Sequence, residues 1–183
     1  MKLISKKNLD ILIIEPEVYY DNRGYFFESF NQKSFNEVTG LDITFVQDNQ
    51  SMSYKGVVRG LHYQLPPMTQ GKLVRVLYGE VFDVAVDIRK SSPNFGKSVT
   101  TILSAKNNRQ IWIPEGYAHG FVGLSNESIL LYKTTNYYSP IHERIILYND
   151  PSLEILWPKE ITLDSSSKDK NGFYLKDAEI YLK

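Results

Sequence analysis

The stretch Arg59-Gly-Leu-His62-Tyr-Gln-Leu-Pro66-Pro67-Met-Thr-Gln-Gly71-Lys72 lies between two runs of strand-forming residues. Gly56-Val57-Val58 leads into it, and Gly71-Lys72-Leu73-Val74-Arg75-Val76 leads out. Proline has no N–H to give to a ladder, so Pro66-Pro67 ends the first strand. His62 and Lys72 then fall near the facing ends of two strands joined by a loop. A neutral imidazole accepts a proton and a nearby ammonium stabilises an oxyanion, so the pair suits proton abstraction beside a carbonyl. The same spacing also fits a histidine packed at a strand end with a solvated lysine. Spacing alone leaves both open.

Outward from this stretch the chain reads as short strands separated by turns. Residues 9–15 are an isoleucine-rich strand closed by Pro16. Asp21-Asn22-Arg23-Gly24 is a turn by residue type, and residues 25–30 follow as a strand. Residues 31–38 predict a short helix, with Asn31 or Ser34 as cap and Gly40 as stop. Residues 44–51 start as a strand and turn polar. Residues 73–78 and 81–88 flank Gly79-Glu80 and read as a long hairpin. In its second arm Phe82, Val84, Val86 and Ile88 share one face, while Val81, Asp83, Ala85 and Asp87 share the other. That arm is expected to have one apolar face. Residues 89–96 read as a loop and 105–109 as a polar turn. Further strands are expected at 99–103, 110–114, 118–122, 129–134 and 145–148. Asp164-Ser-Ser-Ser-Lys-Asp-Lys170 suits one capped helical turn. Short strands with turn signals at regular spacing predict an all-β sandwich or barrel, without internal repeats.

The totals limit what such a fold does. A chain of 183 residues suits a single domain, 1–183, with a sizeable core. Lys plus Arg equals Asp plus Glu at 21 each, which argues against charge-driven binding to nucleic acid or a membrane surface. With no cysteine there is no disulfide, thiol nucleophile or thiolate metal site. Met1-Lys-Leu-Ile-Ser-Lys-Lys7 lacks the apolar core of a signal peptide, and no apolar run reaches transmembrane length. A cytoplasmic protein is the expectation.

Several blocks together resemble the dTDP-4-dehydrorhamnose 3,5-epimerases. They are Asp21-Asn-Arg23-Gly-Tyr-Phe26-Phe-Glu28, Gln47-Asp-Asn49, Arg59-Gly-Leu-His62-Tyr and Gly71-Lys72. Asp83-Val-Ala-Val-Asp87-Ile-Arg89, Pro114-Glu-Gly-Tyr-Ala-His119-Gly-Phe, Tyr132-Lys-Thr-Thr-Asn-Tyr-Tyr138-Ser-Pro and Asn149-Asp-Pro continue the match in order. Leu163-Asp-Ser-Ser-Ser-Lys168-Asp169 agrees less closely, because its serine run departs from the family pattern. The resemblance implies a cupin-type jelly roll with a few short helices. It implies a homodimer whose N-terminal strands cross to the partner, and no cofactor. Metal-binding cupins resemble one another in a His-x-His pair, but here Tyr63 and Gln64 follow His62. His119 alone remains from the later motif, so the residues make a poor metal site. His142, in a Pro-Ile-His loop, is expected to be solvated.

The implied substrate is a dTDP-4-keto-6-deoxyhexose, whose C3 and C5 protons flank the C4 carbonyl. By resemblance His62 is the base, Tyr132 the acid on the other face, and Lys72 the stabiliser of the enolate oxygen. Asp169 looks like the carboxylate that orients His62. Arg23, Arg59, His119 and Lys168 look like diphosphate and sugar contacts, Arg being suited by its planar fork. Phe26, Glu28, Gln47 and Asn49 resemble the pocket for base and deoxyribose, and Glu143 a substrate-pocket residue. Tyr138 resembles the ring that stacks on thymine; an unbroken strand would put it on the face of Tyr132, six residues earlier. Arg144 stands where the family usually has Gly, and Tyr148 where it has Trp. In an ideal strand Arg59 and His62 point to opposite faces, so a bulge at Gly60 is expected to re-aim one of them. A 3,4-ketoisomerase and a non-catalytic sugar-nucleotide binder are the alternatives. Whether C3, C5 or both invert stays open.

Overall fold

The computed structural model describes residues 1–6 and 10–180, with only the backbone of Lys6; Leu9 of the first expected strand lies outside these residues. Alternation of side chains builds two six-strand sheets that face each other. One sheet runs β1 (Lys2–Lys6), β2 (Leu12–Glu15), β10 (Gln110–Ile113), β7 (Lys72–Tyr78), β12 (Glu127–Thr134), β5 (Gln47–Tyr54). The other runs β13 (Glu143–Ile145), β6 (Val57–Gln64), β11 (Tyr117–Gly123), β8 (Glu80–Asp87), β9 (Ser98–Ser104), with β14 (Asp164–Ser165) also on β6. All pairs are antiparallel except β14 with β6. A two-stranded ribbon, β3 (Tyr19–Asp21) with β4 (Gly24–Phe26), stands apart from both. The architecture is the all-β sandwich expected.

The main core lies between the sheets. Ile11, just before β2, and Ile13, Val74, Val76, Ile111, Ile113 and Leu130 of one sheet meet Val81, Ala85, Val99, Leu103, Tyr117 and Phe121 of the other. This packing corrects the expected hairpin. β7 pairs with β10 and β12, whereas β8 pairs with β11 and β9. The chain turns a corner at Gly79, in the left-handed region at φ 73°, and passes from one sheet to the other. Val74 and Val76 can then face Val81 and Ala85 across the core, which a flat hairpin would prevent. The same packing buries β8 on both faces, since Val84, Val86 and Ile88 belong to a second cluster. That cluster covers the outer face of the second sheet and is closed by Ile146, Leu153, Trp157 and Leu175.

A third cluster, around Phe35 and Trp112, packs helix α1 (Gln32–Thr39) on the outer face of the first sheet. Asn31 caps α1 by accepting from the Ser34 amide at 3.1 Å, and Gly40 ends it at φ 71°. Both residues match the sequence expectation. The strand expected at 25–30 stops at Phe26 instead. Phe27 lies under the Arg75 guanidinium and Phe30 turns into the rings of Phe35 and Phe45, so this segment is held by rings rather than a ladder. The last short strand falls at Glu143–Ile145, not 145–148. Ile146 makes an isolated bridge to Phe173, and the Tyr148 ring packs edge-on against Trp157.

Candidate active site

The bulge at Gly60 decides which way the central residues point. On β11, His119 and Phe121 are two apart; their partners on β6, His62 and Arg59, are three apart. The extra residue is accommodated at Gly60, at φ 118°, where a Cβ would lie 2.6 Å from the His119 carbonyl oxygen. His62 and Arg59 therefore both turn to the face of His119, Tyr117 and Phe121, into the space between the sheets. Leu61, Tyr63 and Leu65 take the opposite, outer face. The expectation of a bulge at Gly60 holds.

His62 Nε2 is 2.5 Å from Asp169 Oδ1. An ionised carboxylate only accepts, so Nε2 carries the proton and Nδ1 keeps the free lone pair. Asp169 is held in turn. The Ser166 hydroxyl donates to its Oδ2 at 2.8 Å, and its own amide donates back to Ser166 Oγ at 3.1 Å. Ser166 is the N-cap of α2 (Ser167–Lys170), so the helical turn is what aims the carboxylate. Burial pushes the Asp169 carboxyl up, but the His62 bond and charge, Ser166 and the Gly60 amide outweigh it and hold the group below its ordinary range. The departure in the serine run does not displace Lys168 or Asp169.

Lys72 lies in the facing sheet. It alternates with Val74 and Val76, points inward and is only 8% exposed. Its ammonium donates to the His62 carbonyl oxygen at 3.2 Å. Burial draws its pKa down to about 8, with Asp83 and Glu143 pulling the other way. Tyr132 shares this face of the sheet and packs its ring against the central core. Burial raises its phenol pKa, only partly offset by Arg59. Tyr132 is therefore a proton-bearing group at neutral pH, facing the sheet that carries His62.

A second group forms beside these residues. Glu143 Oε2 accepts from the Tyr138 hydroxyl at 2.9 Å and from Lys168 Nζ at 2.5 Å. Gln47 accepts the Tyr138 amide at 3.0 Å and donates to Asn49 at 2.9 Å. Arg59 donates to Ser53 Oγ at 2.8 Å and to the Met52 carbonyl at 2.9 Å. Tyr138 does not reach this group along a continuous strand, because β12 ends at Thr134. A loop carries it there. Arg144 braces that loop through the carbonyls of Ile141 and Glu143, and it grips Glu179 at 2.7–2.9 Å. His119 is buried, with Nε2 2.9 Å from Asp83 Oδ2. His142 is half-buried and bonded to Ser139 Oγ rather than freely solvated.

Arg23, Phe26 and Glu28 are not brought into this constellation. Arg23 grips Asp21 on the ribbon, Glu28 accepts from Asn31, and the Phe26 ring is 72% exposed. The segment after the ribbon is fixed by the Arg75–Phe27 contact. Arg75 alternates with the inward Val74 and Val76, so that contact lies on the outside of the sheet. Among the described residues two polar groups near the dyad were not anticipated from sequence, Ser166 and Asp83. Ser166 carried a signal, a serine three residues before an aspartate. Asp83 carried none, being one of several acidic residues on an alternating strand.

The family described as dTDP-4-dehydrorhamnose 3,5-epimerase matches residues 7–177 of the chain. The dTDP-4-dehydrorhamnose 3,5-epimerase of Shigella flexneri is 58% identical over 182 residues, covering 100% of both chains. The dTDP-6-deoxy-D-glucose-3,5-epimerase of Legionella pneumophila, solved in complex with dTDP-4-keto-L-rhamnose, is 49% identical with a TM-score of 0.95. The match covers 100% of this chain and 98% of that one. ChmJ, a 3'-monoepimerase from Streptomyces bikiniensis solved with dTDP-quinovose, is 32% identical with a TM-score of 0.86, over 96% of this chain and 88% of that one.

Proposed function

The chain belongs to the dTDP-4-dehydrorhamnose 3,5-epimerase family, and from that premise we propose how its own residues invert C3 and C5 of a dTDP-4-keto-6-deoxyhexose. The enzyme is an isomerase of dTDP-sugar biosynthesis. His62 Nδ1 takes the proton from the carbon next to the C4 carbonyl. Asp169 fixes the imidazole and stabilises the imidazolium that forms. The electron pair moves onto O4, where the Lys72 ammonium meets the developing charge; one preorganised donor of this kind is worth about 2.7–4 kcal/mol. Tyr132 then gives its proton to the opposite face of the same carbon. The observation that supports this reading is the placement of His62 and Tyr132 on opposing sheets. His62 stands on β6 and Tyr132 on β12, both turned into the interior. Inversion requires two proton-transfer groups on two faces of one ring.

Arg59, His119 and Lys168 are the diphosphate and sugar contacts in this reading. Gln47, Asn49, Tyr138 and Glu143 receive the nucleoside. Arg23, Phe26 and Glu28 sit on or just after the exposed ribbon, outside their own pocket. They serve the site of a second copy in a homodimer with exchange of N-terminal segments. A cytoplasmic location, alongside nucleotide-sugar synthesis, goes with this assignment.

The test is proton NMR of dTDP-4-keto-6-deoxyglucose in D2O with the enzyme, no added cofactor and excess EDTA. Loss of both the H3 and H5 signals with inversion at each centre is expected. Exchange at one centre only would make the protein a single-centre epimerase. No exchange at all would make it a binder.

A further inference from the structure

Residues 135–142 carry the chain from the end of β12 at Thr134, in one sheet, to the start of β13 at Glu143, in the other. Tyr138 stands in the middle of this crossing. Its ring is 48% exposed, yet the residue is held from three sides. The hydroxyl donates to Glu143 Oε2 at 2.9 Å, and the amide donates to Gln47 Oε1 at 3.0 Å. The third hold is Gln64, the last residue of β6. Its side-chain oxygen accepts from the Ser139 amide at 2.7 Å, and its side-chain nitrogen donates to the Tyr137 carbonyl at 3.1 Å. One side-chain amide thus takes the peptide groups on both sides of Tyr138, as a strand partner would.

Gln64 has no bonding capacity left over. Its nitrogen also donates to the Met68 carbonyl at 2.5 Å, so both N–H groups and the oxygen are used. The side chain is 6% exposed. A buried amide with every group satisfied is rigid and costly to disturb. The strand order explains how it comes to lie there. Gln47 opens β5 opposite Thr134, and Gln64 closes β6 opposite Glu143. The loop leaves one sheet beside one glutamine and reaches the other sheet beside the second. The side-chain bonds of Gln64 run to the two loops, not to His62 or Asp169.

We propose that Gln64 is a positioning residue for nucleotide recognition: it clamps the loop so that the Tyr138 ring stands in place for the base before the base arrives. This rests on the reading of Tyr138 as a nucleoside contact. A half-exposed ring on an unclamped loop would have to be ordered as the ligand binds, and that ordering weakens affinity.

The test is Gln64→Met, which keeps the length of the side chain and removes its amide. Tyr137 and Tyr138 are exposed, so a small movement of the loop hydrates the freed peptide groups and the sandwich should still fold. Affinity for dTDP is measured by calorimetry in the parent, Gln64→Met, Tyr138→Ala and the double variant. Deuterium exchange at saturating substrate is followed alongside. Gln64→Met should bind dTDP about tenfold more weakly. Exchange at saturation should stay within about threefold of the parent, because the clamp acts on binding rather than on His62, Asp169 and Lys72. The double variant should bind no more weakly than Tyr138→Ala, since the clamp works through that ring. Affinity within about twofold of the parent in Gln64→Met, or losses that add in the double variant, would overturn the proposal and leave Tyr138 as a nucleoside contact. An exchange rate that falls as far as the affinity would make Gln64 a support of β6 and overturn it too. Parent-like binding by Tyr138→Ala would remove the reading of Tyr138 itself, and the proposal with it. If Gln64→Met does not fold, Gln64→Asn replaces it under the same criteria, since an amide one methylene shorter cannot reach both Tyr137 and Ser139.

Discussion

Asp169→Asn removes one charge from the His62–Asp169 pair and leaves its shape. The native contact joins His62 Nε2 to Oδ1 at 2.5 Å, with the carboxylate only 5% exposed and the imidazole 31%. Two effects follow. The charge-assisted bond that orients the ring is worth about 1.5–3 kcal/mol, or about 10- to 150-fold in rate. The amide also offers an N–H where the carboxylate could only accept. The ring can then receive that N–H at Nε2 and move its proton to Nδ1, the atom that must take a proton from the sugar. In a histidine–aspartate pair of this kind, the wrong tautomer accounts for losses near 10⁴. The expected fall in turnover is therefore about 10²- to 10⁴-fold. Ser166 still caps α2, so the fold should persist with a melting temperature lowered by several degrees, and dTDP should bind as before. The assay is epimerisation and deuterium uptake in D2O, with dTDP affinity by calorimetry. Activity within threefold of the parent would refute the dyad. An equal loss of dTDP affinity would show that Asp169 shapes the pocket instead.

Three further outcomes are expected. His62→Asn should abolish exchange at C3 and C5 while dTDP affinity stays within a fewfold; an active variant would move the base elsewhere. Gly60→Ala puts a Cβ 2.6 Å from the His119 carbonyl and 2.7 Å from Gly120 Cα, at a φ of 118°. Both neighbours are backbone, so stability should fall by more than about 2 kcal/mol in urea titrations, and a neutral effect would contradict the bulge. Thermal stability should decline on acidification. Glu15, Asp87, Asp150 and Asp169 are all held below their ordinary values. Burial alone would raise each of them; bonds from Lys2 and Arg109 to Glu15, from Arg89 and Ser92 to Asp87, from Leu175 and Ser152 to Asp150, and from His62 and Ser166 to Asp169 outweigh it. Such groups bind more protons unfolded than folded between the two pKa values. Their contribution is present above the unfolded value and is lost as pH falls through the folded one. Melting curves from pH 6 to pH 3 check this, and a flat or rising profile would contradict it.

Local chemistry made much of the fold legible. Asn31 and Gly40 bounded α1 because capping is decided within a few residues. Pro66-Pro67 ended β6 because a missing N–H is a property of the residue itself. The serine before Asp169 marked the turn that aims it. What failed were partnerships made at a distance. Alternation around Gly79 says that two strands adjoin a tight turn, but not whether they pair or part into different sheets. The shared core between Val74, Val76, Val81 and Ala85 decides that, and it exists only in three dimensions. For the same reason β8 was expected to have one apolar face, whereas Val81 and Ala85, beside Asp83 and Asp87, pack into the core between the sheets. In the site, the bulge at Gly60 was inferable because two side chains needed one face. The route of Tyr138 was not, since a loop braced by Arg144 and Glu179 carries it past the end of β12.

The division of labour between the sheets is tested most directly by Tyr132→Phe in D2O, with deuterium content and stereochemistry followed on one sample. The variant loses only the phenolic proton and keeps the ring against the core. His62, Asp169 and Lys72 are untouched, so the enolate should still form. Reprotonation would then come from His62, on the face the proton left. The account predicts that deuterium enters C3 or C5 with retained configuration, while inversion falls by about two to four powers of ten. Inversion at the parent rate would contradict it by removing Tyr132 from the reaction.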